Sequence, residues 1–326
     1  MRALAFHRFG GPDVLQLTEL PDPELIAGHA VVRVRAIGVN FADVYRRRGD
    51  YRLDGAAPWI LGYEGAGVIE AVDGRGVDPA VARLLPVGAR VGFADVPRAN
   101  AERLLAPLDK LIPLDDAVDF ELAAALLLQG LTAQYLVRDS HAVAPRQTVL
   151  VHAAGGGVGL LLVQAARGLG ARVLALASSG DKRDAAHEAG ADVVAGYDGW
   201  VEAAQRFAAG GVDVVYDSVG TTLADSLRAV RVGGHVVFFG MAGGNPRPVD
   251  PRLLMDQSKS LSGGDLWNVL TSHAERLRRA RELFDWVAEG RLRVRISSRF
   301  LLADGAAAHA WLESRRAIGK VLITVD

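Results

Sequence analysis

The sequence has no cysteine among its 326 residues. A chain without cysteine can form neither a disulfide nor a thiolate metal site, and it has no thiol nucleophile. Its eight histidines are scattered, and no two of them have the i, i+4 spacing that places two imidazole ligands on one helix face. We therefore expect no metal site, and we interpret His152, beside a glycine-rich turn, as a hydrogen-bonded structural imidazole.

Net charge and long apolar runs are lacking as well. The 37 basic and 38 acidic residues give a formal net charge of −1, so no long-range field attracts nucleic acid or an anionic membrane. No apolar run approaches the roughly 18 residues that span a bilayer, and we interpret the richest, at residues 123–128, as a short core segment. The start of the chain, with Arg2 and Arg8, does not resemble a signal peptide. We expect a soluble, cytoplasmic protein without nucleic-acid or membrane partners.

Two successive patterns divide the chain into domains. Up to about residue 124, short alternating segments between proline and glycine turns predict antiparallel strands with one face in water. From residue 125, apolar strands alternate with helices, which predicts a parallel sheet in a doubly wound α/β fold. The last strand, at 320–325, is too short to form a domain alone. We therefore predict a β-rich domain of residues 1–124 and 265–326, into which an α/β domain of residues 125–264 is inserted.

The predicted α/β domain starts with a strand at 148–152 and a helix at 158–169. Further strands are predicted at 172–177, 193–194, 212–217 and 235–239, and a helix at 182–189 ends at Gly190. Beyond the sheet, an amphipathic helix that ends at Gly290 has an apolar face formed by Leu277, Ala280, Phe284 and Val287.

The turn after the first strand of this domain carries a dinucleotide-binding pattern. The segment AAGGGVG lies there between strand and helix, and aligned on Ala154 it reads A-x-G-x-x-G. Gly156 would let the backbone approach a pyrophosphate, and Gly159 would let the helix pack close to the strand. Free amides at the helix N-terminus, around Gly157 and Val158, would face the negative charge.

The end of the second strand lacks the acid that is typical of an NAD site. About 20 residues after the fingerprint, an Asp or Glu would accept hydrogen bonds from the ribose 2′-hydroxyl, but residues 177–179 read ASS. Ser178 can donate to a 2′-phosphate and Lys182 can neutralise it. The pattern favours NADPH over NADH, with a plain surface role for Lys182 as the alternative.

Motifs elsewhere in the chain resemble one family. VNFADVY at 39–45, GDY at 49–51 and LGYEGAGV at 61–68 look like the catalytic domain of the medium-chain dehydrogenases/reductases. The zinc alcohol dehydrogenases of that family have a cysteine where Asn40 is and a histidine where Tyr63 is, so both recognisable zinc ligands are replaced. These replacements, together with LQGLTA at 128–133 and VYDSVG at 215–220, are similar to the zinc-free quinone oxidoreductases over nearly the whole chain.

The resemblance implies a GroES-like catalytic domain, an inserted Rossmann domain that binds NADPH, and a homodimer formed at the sheet edge near residues 235–239 and 260. Its implied cofactor residues are Lys182 and Tyr197 at the 2′-phosphate, Thr132, Gly240 and Met241 near the nicotinamide, and Arg315 from the terminal segment. Two departures leave the substrate preference open. Tyr63 stands where a smaller residue such as Thr is usual. In the stretch from Gly92 to Leu104, FADVPR at 93–98 replaces the usual glycine-rich lead into the strand.

A reaction without a metal needs hydrogen-bond donors for the oxyanion that develops on the substrate as hydride arrives. Tyr51, Tyr45 and Asn40 are the candidate donors, although the two tyrosines could instead be core aromatics. We interpret Asp43 as bonding the backbone or a nearby arginine. The run Arg46 to Arg48 is interpreted as a solvated face, with contact to a phosphate or an acidic substrate as the alternative.

Three functions compete. The first is reduction of a small quinone by NADPH, and the second is reduction of an enone or enoyl thioester, because the same tyrosine and cofactor could serve either acceptor. The third is an NADPH-binding protein without turnover, which would keep the fingerprint and Lys182 but would lose Tyr51. The presence of Tyr51 favours catalysis.

Overall fold

The computed structural model describes residues 1–326 and divides into two units. Unit 1 contains Met1–Leu128, Leu270–Asp285 and Val294–Asp326, and unit 2 contains Gln129–Val269 and Trp286–Arg293. The boundaries predicted from the sequence lie four and five residues earlier, and that prediction assigns residues 286–293 to the first domain rather than to the second.

The strands and helices are numbered along the chain. The sixteen strands are β1 (Arg2–Phe6), β2 (Gln16–Glu19), β3 (His29–Val39), β4 (Trp59–Ile60), β5 (Glu64–Asp73), β6 (Arg90–Ala94), β7 (Arg103–Pro107), β8 (Leu111–Pro113), β9 (Thr148–Val151), β10 (Arg172–Leu176), β11 (Val193–Ala195), β12 (Val212–Asp217), β13 (Val230–Phe238), β14 (Ser260–Gly263), β15 (Ile296–Leu301) and β16 (Lys320–Thr324). The ten α-helices are α1 (Phe41–Arg48), α2 (Pro79–Arg83), α3 (Phe120–Tyr135), α4 (Gly157–Gly168), α5 (Gly180–Glu188), α6 (Trp200–Phe207), α7 (Leu223–Ala229), α8 (Pro251–Asp256), α9 (His273–Ala288) and α10 (Gly305–Glu313).

Unit 1 contains the predicted β-rich domain. Its larger sheet has the order β15-β16-β3-β5-β6-β8, and β7 also pairs with β3. Val32, Val34 and Ile37 of β3 are fully buried in one apolar cluster with Phe93 of β6 and Ile323 of β16. Strand β16 pairs antiparallel with β3, so the last segment of the chain completes the sheet that the first segment begins.

Unit 2 confirms the predicted doubly wound α/β fold. Its six strands have the order β11-β10-β9-β12-β13-β14, and every neighbouring pair is parallel. All four residues of β9 are buried, as expected of a parallel strand covered on both faces. The strand order reverses between β9 and β12. In open sheets of this kind ligands bind beyond the carboxyl ends of the strands at such a reversal.

Helix α3 corrects the interpretation of residues 123–128 as a short core segment. These residues belong to a helix that starts at Phe120 and continues through a π turn, Leu136–Ser140. By length and composition, Phe120–Ser140 is the one helical stretch able to cross a membrane, but 78% of its most apolar window is buried inside the protein. A mostly buried core helix can meet the same criteria of length and composition, so this stretch is only weak evidence for a membrane-spanning helix.

Candidate active site

The fingerprint turn of unit 2 joins β9 to α4. Gly156 is the N-cap of α4, and its amide donates to the carbonyl of Ala153 at 2.9 Å. Ala154 is fully buried, and its amide donates to the carbonyl of Leu176 in the neighbouring strand at 2.9 Å. The turn is therefore fixed by backbone bonds on both sides, and the first amides of α4 lie at the carboxyl end of β9.

The glycines of this turn are required for different reasons. A Cβ at Gly159 would lie 2.4 Å from the carbonyl oxygen of Ala153, so this helix can approach the turn only without a side chain there. A Cβ at Gly157 would lie 2.0 Å from Oε1 of Gln129, a buried residue of α3. At Gly156 the one atom that a Cβ would meet within 4 Å is the Ala153 oxygen, at 3.2 Å. The space beside Gly156 is open, as a site for a pyrophosphate requires.

The predicted 2′-phosphate residues lie near this turn. Ser178 is exposed just after β10, and Ser179 caps α5 by accepting a hydrogen bond from the amide of Lys182 at 3.4 Å. A Cβ at Gly155 would lie 2.8 Å from the Cβ of Lys182. The aliphatic part of Lys182 therefore lies against the fingerprint turn, and its contact with a 2′-phosphate stays a prediction.

Tyr197 supports the turn through its hydroxyl. The hydroxyl oxygen accepts a hydrogen bond from the amide of Ala153 at 3.0 Å, and the ring stacks on His152 at 5.8 Å between centroids. This contact is with the backbone of the turn, and the role of Tyr197 at a 2′-phosphate stays a prediction.

His152 is the hydrogen-bonded structural imidazole that the sequence predicts. Its side chain is fully buried, and its Nε2 lies 3.0 Å from Oγ of Ser226. Because Ser226 donates its hydroxyl proton to Asp217 at 2.7 Å, Nε2 is the donor of this bond. Burial lowers the pKa of His152 to about 4, so the ring is neutral at physiological pH.

Asp217 organises the neighbouring turn, a role that the sequence interpretation did not assign. Its carboxylate accepts hydrogen bonds from the amides of Val219 and Gly220 at 2.9 and 3.1 Å. The loop after β13 packs on this turn, since a Cβ at Gly240 would lie 3.1 Å from the carbonyl of Ser218. The only available signal was a single carboxylate at the end of an apolar strand.

The remaining cofactor candidates of unit 2 lie on the same loop and on α3. Met241 follows Gly240 and is partly buried. Thr132 is buried in α3, three residues after Gln129, whose amide lies against Gly157. Their proximity to a nicotinamide stays a prediction.

In unit 1 the candidate donors lie on α1 and in the segment after it. The helix begins directly after β3, and Asp43 in its first turn accepts a hydrogen bond from the amide of Asn40 at 3.0 Å. The second oxygen of Asp43 accepts from the amide of Gly62 at 3.3 Å. The backbone-bonding role predicted for Asp43 is therefore confirmed. Burial raises the pKa of Asp43 to about 6, against the opposing effect of Arg46.

Asn40 belongs to a buried polar cluster, and its predicted role as a donor to substrate stays a prediction. Its side-chain amide donates to the carbonyl of Gly38 at 3.1 Å and to Oε2 of Glu64 at 3.0 Å. Its Oδ1 accepts from Nζ of Lys320 at 2.9 Å, and Lys320 also donates to Glu64 at 2.5 Å. Both amide donors of Asn40 thus have acceptors within the protein, at the residue that caps the N-terminus of α1.

The three arginines of α1 have different surroundings, which corrects their interpretation as a solvated face. Successive residues of a helix point in directions about 100° apart. Arg47 is fully buried and donates to Glu313 and to the carbonyl of Gly10, whereas Arg48 is half-exposed and pairs with Glu313. Arg46 is 4% exposed.

Arg46 brings Tyr51 and Tyr63 together. Its guanidinium carbon lies 3.9 Å from the ring centroid of Tyr63 and 4.8 Å from that of Tyr51. Tyr51 is 41% exposed, and burial raises the pKa of the half-buried Tyr63. Tyr45 is partly buried and contacts the ring of Phe41 at 6.2 Å. Tyr51 is therefore the candidate donor most open to a ligand, and the core alternative proposed for it is wrong.

Two family models match successive parts of the chain. Residues 26–148 match the family model described as alcohol dehydrogenase GroES-like domain, and residues 157–286 match the one described as zinc-binding dehydrogenase. The chain is 37% identical to a quinone oxidoreductase of Pseudomonas aeruginosa, over 99% of both chains. The chain belongs to the quinone oxidoreductase branch of the medium-chain dehydrogenase/reductase family.

Two further relatives are named for the molecules that they act on or bind. A 2-haloacrylate reductase of Burkholderia is 35% identical over 98% of both chains. The crystal structure of the Escherichia coli quinone oxidoreductase complexed with NADPH is 34% identical, with a TM-score of 0.94 over 99% of this chain and all of that one.

The residues of this chain fit the cofactor of that complex but not a zinc ion. The open space beside Gly156 and the position of Lys182 suit a phosphorylated dinucleotide. No group of three or more His, Cys, Asp or Glu side chains is placed to hold a metal, whereas a catalytic zinc needs three protein ligands. Arg315 is exposed in the turn after α10 at a φ of 60°, and its contact with the cofactor stays a prediction.

Proposed function

We propose that this chain, an NADPH-dependent oxidoreductase, reduces quinones by hydride transfer and does so without a metal ion. The observation that supports NADPH most directly is the position of Lys182 against the fingerprint turn, with exposed Ser178 before it and no acid at the end of β10. The quinone is supported by the full-length similarity to quinone oxidoreductases.

The roles of the residues follow from their surroundings. The amides around Gly156 and Gly157 would bind the pyrophosphate, and Ser178 and Lys182 would bind the 2′-phosphate. NADPH, when bound, supplies the hydride. A tyrosine hydroxyl, with an ordinary pKa of about 10, is protonated at neutral pH and can donate to a developing oxyanion.

Tyr51 is the donor that we propose for the substrate oxygen, with Tyr45 as a second donor. Tyr63 would form a wall beside Tyr51, and its raised pKa keeps the hydroxyl protonated. Solvent completes the protonation of the product. The cluster of Asn40, Glu64 and Lys320 holds the start of α1, so it positions Tyr45 without touching substrate.

The assay is oxidation of NADPH and of NADH by the purified protein with benzoquinone, a simple enone and crotonyl thioester, each with and without chelator. Rapid NADPH-specific turnover of the quinone that chelator does not change is the expected result. Turnover that chelator abolishes would contradict the metal-free reaction.

Lys182→Ala tests the cofactor site. Loss of one charge-assisted hydrogen bond should lower kcat/KM for NADPH at least about tenfold and leave that for NADH nearly unchanged. Arg206→Ala removes one exposed charge of unit 2 outside the site and is the control. An equal fall for both cofactors would contradict the assignment of Lys182.

Reduction of an enone is the second candidate function. A relative named 2-haloacrylate reductase supports it, because a haloacrylate is an α,β-unsaturated carboxylate. A clear preference for the enone or the thioester over benzoquinone would favour it. Tight NADPH binding without turnover of any acceptor would instead indicate a cofactor-binding protein.

The homodimer and the cytoplasmic location also stay predictions. The sequence places the pairing edge at both 235–239 and 260, but β13 lies between β12 and β14, so of these two strands only β14 is at an edge of the sheet. We propose that two copies pair along β14. Light scattering of the purified chain should give twice the mass of 34.6 kDa, and a monomer mass would contradict the proposal.

A further inference from the structure

Arg46 is a buried cation without a carboxylate partner. Only 4% of it is exposed, yet it forms no ion pair, whereas Arg47 and Arg48 beside it both pair with Glu313. Its Nη1 donates to the carbonyl of Ala42 at 3.2 Å, and its Nε is buried without any hydrogen-bond partner. Buried charges in proteins are normally paired or bind a ligand.

The two ring contacts limit which part of Arg46 is available. Tyr63 and Tyr51 lie against the guanidinium at 3.9 and 4.8 Å, and contact of this kind covers the faces of a guanidinium while the N–H groups point outward in its plane. That planar fork matches the two oxygens of a carboxylate. The exposure of Tyr51 leaves a route from solvent to this group.

The nearby acid attracts this charge but forms no hydrogen bond or ion pair with it. Asp43, one turn earlier in α1, uses its two oxygens for the amides of Asn40 and Gly62. No carboxylate of Asp54 or Asp95 forms an ion pair with Arg46, since their partners are Arg52 and Lys110.

We infer that Arg46 is a specificity-determining residue that binds a carboxylate on the acceptor, so that the substrates of this chain are quinones or enones that carry an acidic group. The inference rests on the proposed function, because Tyr51 and Tyr63 border both the reacting oxygen and this cation. The ring of Tyr63 holds the guanidinium of Arg46 in place, and the guanidinium selects the acid.

A binding experiment tests this inference without turnover. Calorimetry on the full chain saturated with NADP⁺ would compare 2,5-dihydroxybenzoate, a carboxylated hydroquinone, with its neutral methyl ester. The acid should bind at least about tenfold more tightly than the ester, because a hydrogen bond to a charged group is at stake. Equal affinities, or tighter binding of the ester, would overturn the inference.

Variants of α1 assign the preference to one side chain. Arg46→Gln should reduce the ratio of the two affinities to about one, and Arg46→Lys, which keeps the charge but not the fork, should retain part of it. Arg48→Gln removes a charge from the same helix and should retain the whole ratio. If Arg46→Gln keeps the preference, the carboxylate binds elsewhere. Circular dichroism checks folding, and the wild type and Arg46→Lys decide the question if Arg46→Gln does not fold.

The same proteins in the NADPH assay separate this inference from the proposed function. The expected result is that Arg46→Gln lowers kcat/KM for a carboxylated naphthoquinone more than for its methyl ester. Absence of turnover with every acceptor would overturn the proposed function, while a ratio of affinities above tenfold that Arg46→Gln abolishes would still establish the carboxylate site. Tighter binding of phenyl phosphate than of benzoate would overturn the choice of a carboxylate.

Discussion

Lys320→Met should strongly destabilise unit 1. Lys320 is 1% exposed and Glu64 is fully buried, and the two are joined at 2.5 Å. Burial lowers the pKa of Lys320, against the opposing effect of Glu64, so the charge of the lysine depends on its partner. The substitution would leave the Glu64 carboxylate buried with hydrogen bonds only from the amide of Leu128 and the side chain of Asn40.

The expected loss is about 3–5 kcal/mol of unfolding free energy, the usual cost of removing one partner of a buried ion pair. The double variant Lys320→Met with Glu64→Gln removes both charges and should be more stable than Lys320→Met alone, because no unpaired charge remains. The difference between the double variant and the sum of the single variants measures the coupling.

Urea denaturation followed by circular dichroism gives the free energies, and hydrogen exchange at the amides of β3 and β16 reports whether unit 1 is the part that is weakened. Arg52→Met is the control, since it breaks an exposed pair with Asp54 and should cause no measurable change. The reasoning is refuted if Lys320→Met is as stable as this control, or if the two single losses simply add.

Three further predictions concern unit 2 and α1. Gly159→Ala should raise the KM for NADPH at least about tenfold and lower the unfolding free energy by about 1–3 kcal/mol through overpacking. The control is Gly168→Ala in the same helix, where a Cβ meets nothing within 4 Å, and it should change neither quantity. Steady-state kinetics and urea titrations measure the two effects. Because burial raises the pKa of Asp43 to about 6 from 3.8, its stabilising effect is complete below the lower value and is lost as the pH rises through 6. Asp43→Asn should therefore flatten the fall in unfolding free energy over that interval, and an unchanged slope would count against this. Because burial lowers the pKa of His152 to about 4 from 6.5, its contribution has the opposite sign and is lost as the pH falls through that interval. His152→Gln should remove this loss, measured by urea titrations at pH values across the interval.

Local sequence signals were sufficient for the α/β unit. The strand predicted at 212–217 is β12 itself, and the strand predicted at 148–152 differs from β9 by one residue. Apolar runs of this length between turn residues form buried parallel strands because both faces are covered. The requirement for glycine at position 159 is local too, since the atoms that a Cβ there would meet belong to Ala153 and Ala154.

Local signals did not predict the secondary structure of an apolar run that has neither helical nor strand periodicity. Residues 123–128 are apolar without interruption, and such a run does not distinguish a buried helix from a core strand. Only the packing of Phe120–Ser140, most of which is buried, decided for a helix.

Contacts between distant parts of the chain could not be predicted from the sequence. Glu64 and Lys320 are 256 residues apart. Nothing in the sequence near either residue indicates that it is buried and paired, and the pairing of β16 with β3 brings the two together. Three consecutive arginines, at positions 46 to 48, cannot be told apart from the sequence. In the fold, Arg46 contacts two tyrosine rings, whereas Arg47 and Arg48 form ion pairs with Glu313. The sequence by itself determined which segments form most strands of the parallel sheet and where the cofactor turn lies, because these depend on neighbours along the chain. The tertiary structure decided which charges are buried and which of them remain unpaired, because burial and pairing depend on residues that only the folded chain brings together.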